Sequence, residues 1–183
     1  MKKIIAIGGA PGSGKSTLMK SIMKEIIKNK SDSWEFKEDF KLVPHYKSDN
    51  VYVLGSYPEG EVFGGTDKMS MAVQPEAIKF IEYLPKDSII IFEGDRLFNN
   101  SFLTYCSDYD LSVIIIYADK VEKKVRFESR GSNQNEKWLE GRETKVNNIR
   151  GNLELMFVTD VFVNNTYDDQ SKIVKHIMGK INE

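Results

Sequence analysis

GAPGSGKST, Gly9 to Thr17, follows the short apolar run Lys3 to Gly8 and precedes a segment carrying Leu18, Ile22 and Ile26, with Met19 and Met23, at helical spacing. The stretch fits G-x-x-x-x-G-K-[ST] with a strand before it and a helix, about Lys15 to Lys28, after it. Its glycines let the backbone curl so that several N–H groups point at one anion, and the helix N-terminus adds partial positive charge. Lys15 is placed to reach the β- and γ-phosphates of a nucleotide, and the Ser16 hydroxyl to ligate Mg²⁺. Gly9, Ala10, Pro11, Gly12, Ser13, Gly14, Lys15, Ser16 and Thr17 are therefore the candidate ATP-binding residues.

The rest of the chain constrains that reading. Its 183 residues suit one domain, 40% of them hydrophobic and 29% charged, with no repeat at solenoid spacing. One cysteine, Cys106, excludes an internal disulfide, and two separated histidines, His45 and His176, make a structural zinc site improbable. The apolar runs IIAIGG, IIIF and VIIIYA are too short for a membrane span and read as strands. The expectation is a soluble cytoplasmic protein with no membrane partner. A formal net charge of −1 gives no overall attraction to polyanions, so any such contact must be a local patch.

Elements follow in alternation. KLVPHYKSDNVYVLGSY, from Lys41, predicts two strands about Asp49-Asn50, with Pro44 placing the first at an edge. Pro75 opens a helix through Leu84, Ser88 to Phe92 is a buried strand, and Leu97 to Cys106 a short helix. After the strand Leu111 to Tyr117, Asp119 and Glu122 predict a capping box. The polar GSNQNEK then interrupts before a helix from about Trp138 to Met156, a strand Val161 to Val163 and a helix Asp168 to Ile181. This alternation predicts an α/β fold with a parallel sheet flanked by helices, ligands lying beyond the carboxyl ends of its strands. Gly9 to Thr17, Glu93 to Arg96, Asp119 and Asn164 would all gather there.

GAPGSGKST resembles the Walker A loop of P-loop NTPases, in particular that of small-molecule and nucleotide kinases. The resemblance implies a single kinase domain over 1–183, with a hairpin and acceptor-binding insertion at about 37–74 and a lid at about 119–150. NKSD, Asn29 to Asp32, matches the guanine-reading pattern of GTPases but directly follows the first helix, so it reads as a polar helix end. After the strand IIIF, Glu93 and Asp95 are candidates to hold Mg²⁺ or accept a proton, Glu93 the better metal ligand because it comes first. From Lys120 to Arg150 there are nine Lys or Arg against five Glu. Arg126 and Arg130 share a helix face, and with Arg142 they are candidate clamps on the transferring phosphoryl group; the bland alternative is a solvated helix face. VFVNNTY resembles the last strand and loop of such kinases, which implies adenine-side roles for Asn164, Asn165 and Thr166; turn and cap roles are the alternative.

The acceptor is read from FGGTDKMSM, Phe63 to Met71. Gly64, Gly65, Thr66, Asp67 and Lys68 are the candidate acceptor-binding residues, with Asp67 as base toward a hydroxyl. A mononucleotide acceptor is already ionised and needs arginine clamps instead. Length, GAPGSGKST, the hairpin followed by FGGTDKMSM, and NEKWLEGRETKVNNI together resemble the bacteriophage DNA 5-hydroxymethyluracil kinases. That resemblance implies DNA containing 5-hydroxymethyluracil as partner, ATP and Mg²⁺ as cofactors, and Lys15, Asp67, Asp95, Arg126, Arg130 and Arg142 as catalytic candidates. Lys37, Lys41 and Lys47 could contact phosphates, and Phe40, Tyr46, Tyr52, Tyr57 and Phe63 could stack a base, filling the hairpin being the alternative. A deoxynucleoside monophosphate kinase and a nucleotide-dependent switch without chemistry are the competing readings.

Overall fold

The computed structural model describes residues 1–28, 33–58, 64–129, 131 and 135–183. NKSD, Phe63 and Arg130 lie outside them, as does most of the GSNQ stretch. Three strands rich in β-branched residues make the centre of the sheet: β1 (Lys3–Gly8), β5 (Ile89–Glu93) and β6 (Asp110–Tyr117). Every residue of β5 is buried, as a strand covered on both faces requires. The other strands are β2 (Glu35–Lys37), β3 (His45–Ser48), β4 (Val51–Leu54) and β7 (Thr159–Val163).

All seven form one sheet in the order β2-β3-β4-β5-β1-β6-β7. From β4 to β7 neighbours are parallel, while β2 and β3 extend the sheet antiparallel. The α/β reading therefore holds, with one correction at the hairpin. The strand after Pro44 is not the edge, because the three-residue β2 pairs outside it. Asp49 does sit at the turn, with a left-handed φ of 56°.

Successive residues of β1 face opposite sides of the sheet, which divides the core. Ile4 and Ala6 join Phe92 and Phe102 in a cluster with α2 (Val73–Tyr83), α3 (Asn100–Cys106) and α5 (Glu136–Arg150). Ile5 and Ile7 join Leu18, Ile22, Ile173 and Ile177 of α1 (Lys15–Ile27) and α6 (Tyr167–Asn182). The remaining helix, α4 (Lys120–Ser129), buries no residue fully. Among the described residues no helix is long and apolar enough to cross a membrane.

Helix ends depart from expectation where side chains find other partners. α5 stops at Arg150, with Gly151 as C-cap, and a 3₁₀ turn Met156–Val158 leads into β7. α3 starts later than expected because Asn99 caps it, accepting from the Phe102 N–H at 3.0 Å. Asp119 does not box with Glu122: its carboxylate takes the Asn165 amide, and Glu122 takes Arg126. A capping box forms instead at α6, between Thr166 and Asp169.

Candidate active site

The Gly9–Thr17 loop lies where β1 ends and α1 begins. Gly12 and Gly14 have φ of 80° and 93°, a left-handed backbone that side-chain-bearing residues avoid. The loop thus curls around the N-terminus of α1, a backbone conformation suited to receiving an anion. Lys15 Nζ donates to the loop's own Gly9 carbonyl at 2.8 Å, so its ammonium is held over the loop. Asn164, buried at the end of β7, donates to the Ser13 carbonyl at 2.8 Å and ties the loop to the next strand but one.

Glu93 closes the other side. It is fully buried at the end of β5, and its Oε1 accepts from the Ser16 hydroxyl at 2.9 Å. Its Oε2 is buried with no hydrogen-bond partner among the described residues. Burial pushes its carboxyl up to about 7; the Lys15 charge opposes this and Asp67 adds to it. A hydroxyl and a carboxylate with an unused oxygen are hard donors suited to Mg²⁺, which keeps several waters and needs few protein ligands. The expected pair Ser16 and Glu93 is therefore brought together and fits that ion.

The loop of FGGTDKMSM reaches the same centre. Gly65 pairs with Ser56 in an antiparallel bridge and packs on Gly55. Its φ is 75°, and any Cβ there would run into the Glu93 carboxylate. Gly65 therefore allows close approach to Glu93, and Gly64 packs on the Tyr57 ring. Thr66–Lys68 form a 3₁₀ turn, in which Thr66 is buried and Lys68 exposed. Asp67 Oδ1 accepts from the Asp95 N–H at 2.7 Å, stapling this loop to the end of β5.

Tyr57 takes the hairpin-filling role that the sequence offered as the alternative to base stacking. It was a candidate for stacking a base, yet its ring is buried against Gly64 and its hydroxyl lies by Glu93 without a hydrogen-bond partner. Burial and the Glu93 charge push its ionisation well up, so it is a neutral phenol beside the Glu93 carboxylate. Tyr52 is likewise buried, and Tyr46 accepts the Tyr57 N–H. These three fill the hairpin.

The basic residues divide. Arg126 donates to the carbonyls of Gly12 at 3.0 Å and Asn164 at 2.8 Å, with Glu122 on its Nε at 2.9 Å. It lines a cavity of about 490 Å³ with Gly14, Thr17, Asn165, Thr166 and Tyr167. Arg142 instead pairs with Asp95, and Lys145 adds a bond to the Asp95 carbonyl at 2.9 Å and its carboxylate at 3.3 Å. Asp95 is thus neutralised by two cations of α5. Between α4, α5 and Pro11 lies a further cavity of about 710 Å³, bridged by the Lys123–Glu143 ion pair. That bridge was not foreseen, since the two residues lie on different helices.

Among curated proteins none is detectably similar in sequence. Among solved structures, a gluconokinase from Sinorhizobium meliloti is similar at a TM-score of 0.47 and 12% identity, covering 97% of each chain. An uncharacterized protein from Eubacterium ventriosum is similar at 0.46 and 17% identity, over 100% of this chain and 99% of that one. The family described as P-loop Nucleotide Kinase3 matches residues 1–181. With the phosphate loop built around Lys15 at its centre, the chain belongs to this family of P-loop nucleotide kinases, and it is a kinase.

Proposed function

We propose that this kinase transfers the γ-phosphoryl group of ATP to a hydroxyl on a nucleic-acid acceptor, the 5-hydroxymethyl group of 5-hydroxymethyluracil in DNA. The observation that carries the hydroxyl reading is the placement of Asp67, a half-buried carboxylate stapled beside Glu93 at the mouth of the phosphate loop. A hydroxyl needs a group to take its proton as it attacks, whereas a phosphate acceptor does not. The acceptor oxygen forms the new bond to the γ-phosphorus, its proton passes to Asp67, and the bond from that phosphorus to the β,γ-bridging oxygen breaks to release ADP.

Lys15 and the loop N–H groups hold the β- and γ-phosphates. Asn164, Asn165 and Thr166 line the cavity of about 490 Å³ that takes the adenosine side, and Arg126 ties that wall to the phosphate loop. Ser16 and Glu93 are the residues that would hold Mg²⁺, which when bound would supply positive charge against the phosphates. Arg142, paired with Asp95, is one guanidinium on the acceptor side, and exchange of Asp95 for the phosphoryl group would bring it into action.

A mononucleotide acceptor is the second reading, favoured by the family's description as nucleotide kinases and by Arg142. Protein, Mg²⁺ and γ-labelled ATP are incubated with hydroxymethyluracil DNA, ordinary DNA and deoxynucleoside monophosphates. Label on the modified DNA is the expected result. Label confined to deoxynucleoside diphosphates would replace this reading with the second.

A further inference from the structure

Three buried polar atoms near the end of β5 have no hydrogen-bond partner among the described residues: Glu93 Oε2, the Tyr57 hydroxyl and the Thr66 hydroxyl. A buried donor or acceptor left unmade goes uncompensated for the water it gave up, so a donor kept beside an acceptor needs an explanation. Thr66 is turned along the backbone, where a Cβ at Gly94 would lie 2.8 Å from its Oγ1. The Tyr57 hydroxyl lies beside the Glu93 carboxylate without closing a bond to it. Asp67, the other carboxylate near this phenol, already holds the Asp95 N–H on its Oδ1 at 2.7 Å.

Both members of the pair are held from elsewhere. The Tyr57 N–H donates to the Tyr46 hydroxyl at 3.2 Å, the two rings stand 6.1 Å apart, and a Cβ at Gly64 would come within 3.0 Å of Tyr57 Cδ1. On the carboxylate, Oε1 takes the Ser16 hydroxyl at 2.9 Å, and the Gly65 backbone closes in until a Cβ there would lie 2.4 Å from that same oxygen. One oxygen of Glu93 is thus fixed and the other is not. A phenol donates and a carboxylate oxygen accepts, so Tyr57 and Oε2 are complementary.

We propose that Tyr57 is a positioning residue for the metal pair: its hydroxyl donates to Glu93 Oε2 and fixes the plane in which the carboxylate presents Oε1, beside Ser16, to Mg²⁺. The inference rests on the reading of Ser16 and Glu93 as the residues that would hold Mg²⁺, and it needs no particular acceptor. Tyr57 acts through Glu93 and touches neither metal nor substrate. A group that hydrogen-bonds a metal-binding side chain from behind orients it, and its loss typically costs about 10- to 100-fold in metal affinity.

Mn²⁺ can stand in for Mg²⁺, since the electron paramagnetic resonance signal of the free ion is lost on binding. It is titrated into full-length protein carrying ADP, with protein in excess so that little nucleotide is free. Tyr57→Phe keeps the ring, removes only the hydroxyl, and should need about 10-fold more Mn²⁺. Its ADP affinity in EDTA and its melting temperature should not fall, since the lost hydroxyl has no partner among the described residues. Glu93→Gln should also weaken Mn²⁺ binding, and adding Tyr57→Phe to it should cost nothing more. With Glu93→Gln weakened, unchanged Mn²⁺ affinity in Tyr57→Phe overturns the proposal, and so does an equal loss in both backgrounds. A matching loss of ADP affinity in EDTA would mark a merely structural role and overturn it too. Full Mn²⁺ affinity in Glu93→Gln would overturn the metal pair itself, and this proposal with it.

Discussion

At position 67 the observed staple and the proposed role of base can be separated. Its Oδ1 accepts the Asp95 N–H, and an asparagine side-chain oxygen can do the same. Asp67→Asn therefore keeps the staple and removes only charge and basicity. Turnover should fall about 10²- to 10⁴-fold, the usual worth of a general base, with KM for ATP and the melting temperature nearly unchanged. Near-normal turnover would strip Asp67 of the role of base. Glu93 offers a pH test of the metal site. Its folded carboxyl ionises at about 7, whereas the unfolded one ionises near its ordinary 4.5. Between those values the folded protein holds a proton that the unfolded chain has released, so stability without ligand falls as pH rises through that window. The loss is on the order of 3 kcal/mol, complete above the folded value. Urea midpoints at about pH 5 and about pH 8 should show this slope in the parent and not in Glu93→Gln. An equal slope in both would place the titrating group elsewhere.

Among the elements, α5 rests on a narrow apolar contact. It buries only Val146 and Ile149, and Arg142 and Lys145 fasten it to Asp95. A latch and a base at Asp95 make different predictions. For a latch, Asp95→Asn weakens both ion pairs, so amide exchange in α5 rises by about tenfold while turnover falls only several-fold. Collapse of turnover with unchanged α5 exchange would make Asp95 the base. The latch was invisible in the sequence because its partners are 50 residues apart, whereas the phosphate loop declared itself within nine consecutive residues. For the same reason β1, β5 and β6 were legible as apolar runs, and β2, three residues with two exposed, was not. Glu93 was readable from its place after a buried strand. Arg126 was chosen for its helical spacing, but only the fold shows that it faces Gly12 and Asn164 rather than the acceptor loop. The burial of Tyr57 beside Glu93 escaped because that carboxylate ends the distant strand β5.

For the molecule as a whole, the sheet is a partition between two cores, and the phosphate loop sits on its central strand. Ile149 of α5 is buried in one cluster, and Ile177 of α6 in the other. They share no partner, since the backbone of the sheet stands between them. Removing one methylene from each by Ile149→Val and Ile177→Val should cost roughly 0.5–1.5 kcal/mol apiece. Distant, independent sites add to within about 0.5 kcal/mol, so the double variant should lose the sum. Ile173 and Ile177, four residues apart on α6 and in one cluster, give the contrast: Ile173→Val with Ile177→Val should depart from additivity by more than that. Denaturant midpoints of the parent, three single and two double variants read all of this directly. Coupling between Ile149 and Ile177 as large as that between Ile173 and Ile177 would mean that packing strain crosses the sheet. Helix α5 and the α1–α6 face would then be one mechanical unit, and a shift of α5 would register in the phosphate loop through β1.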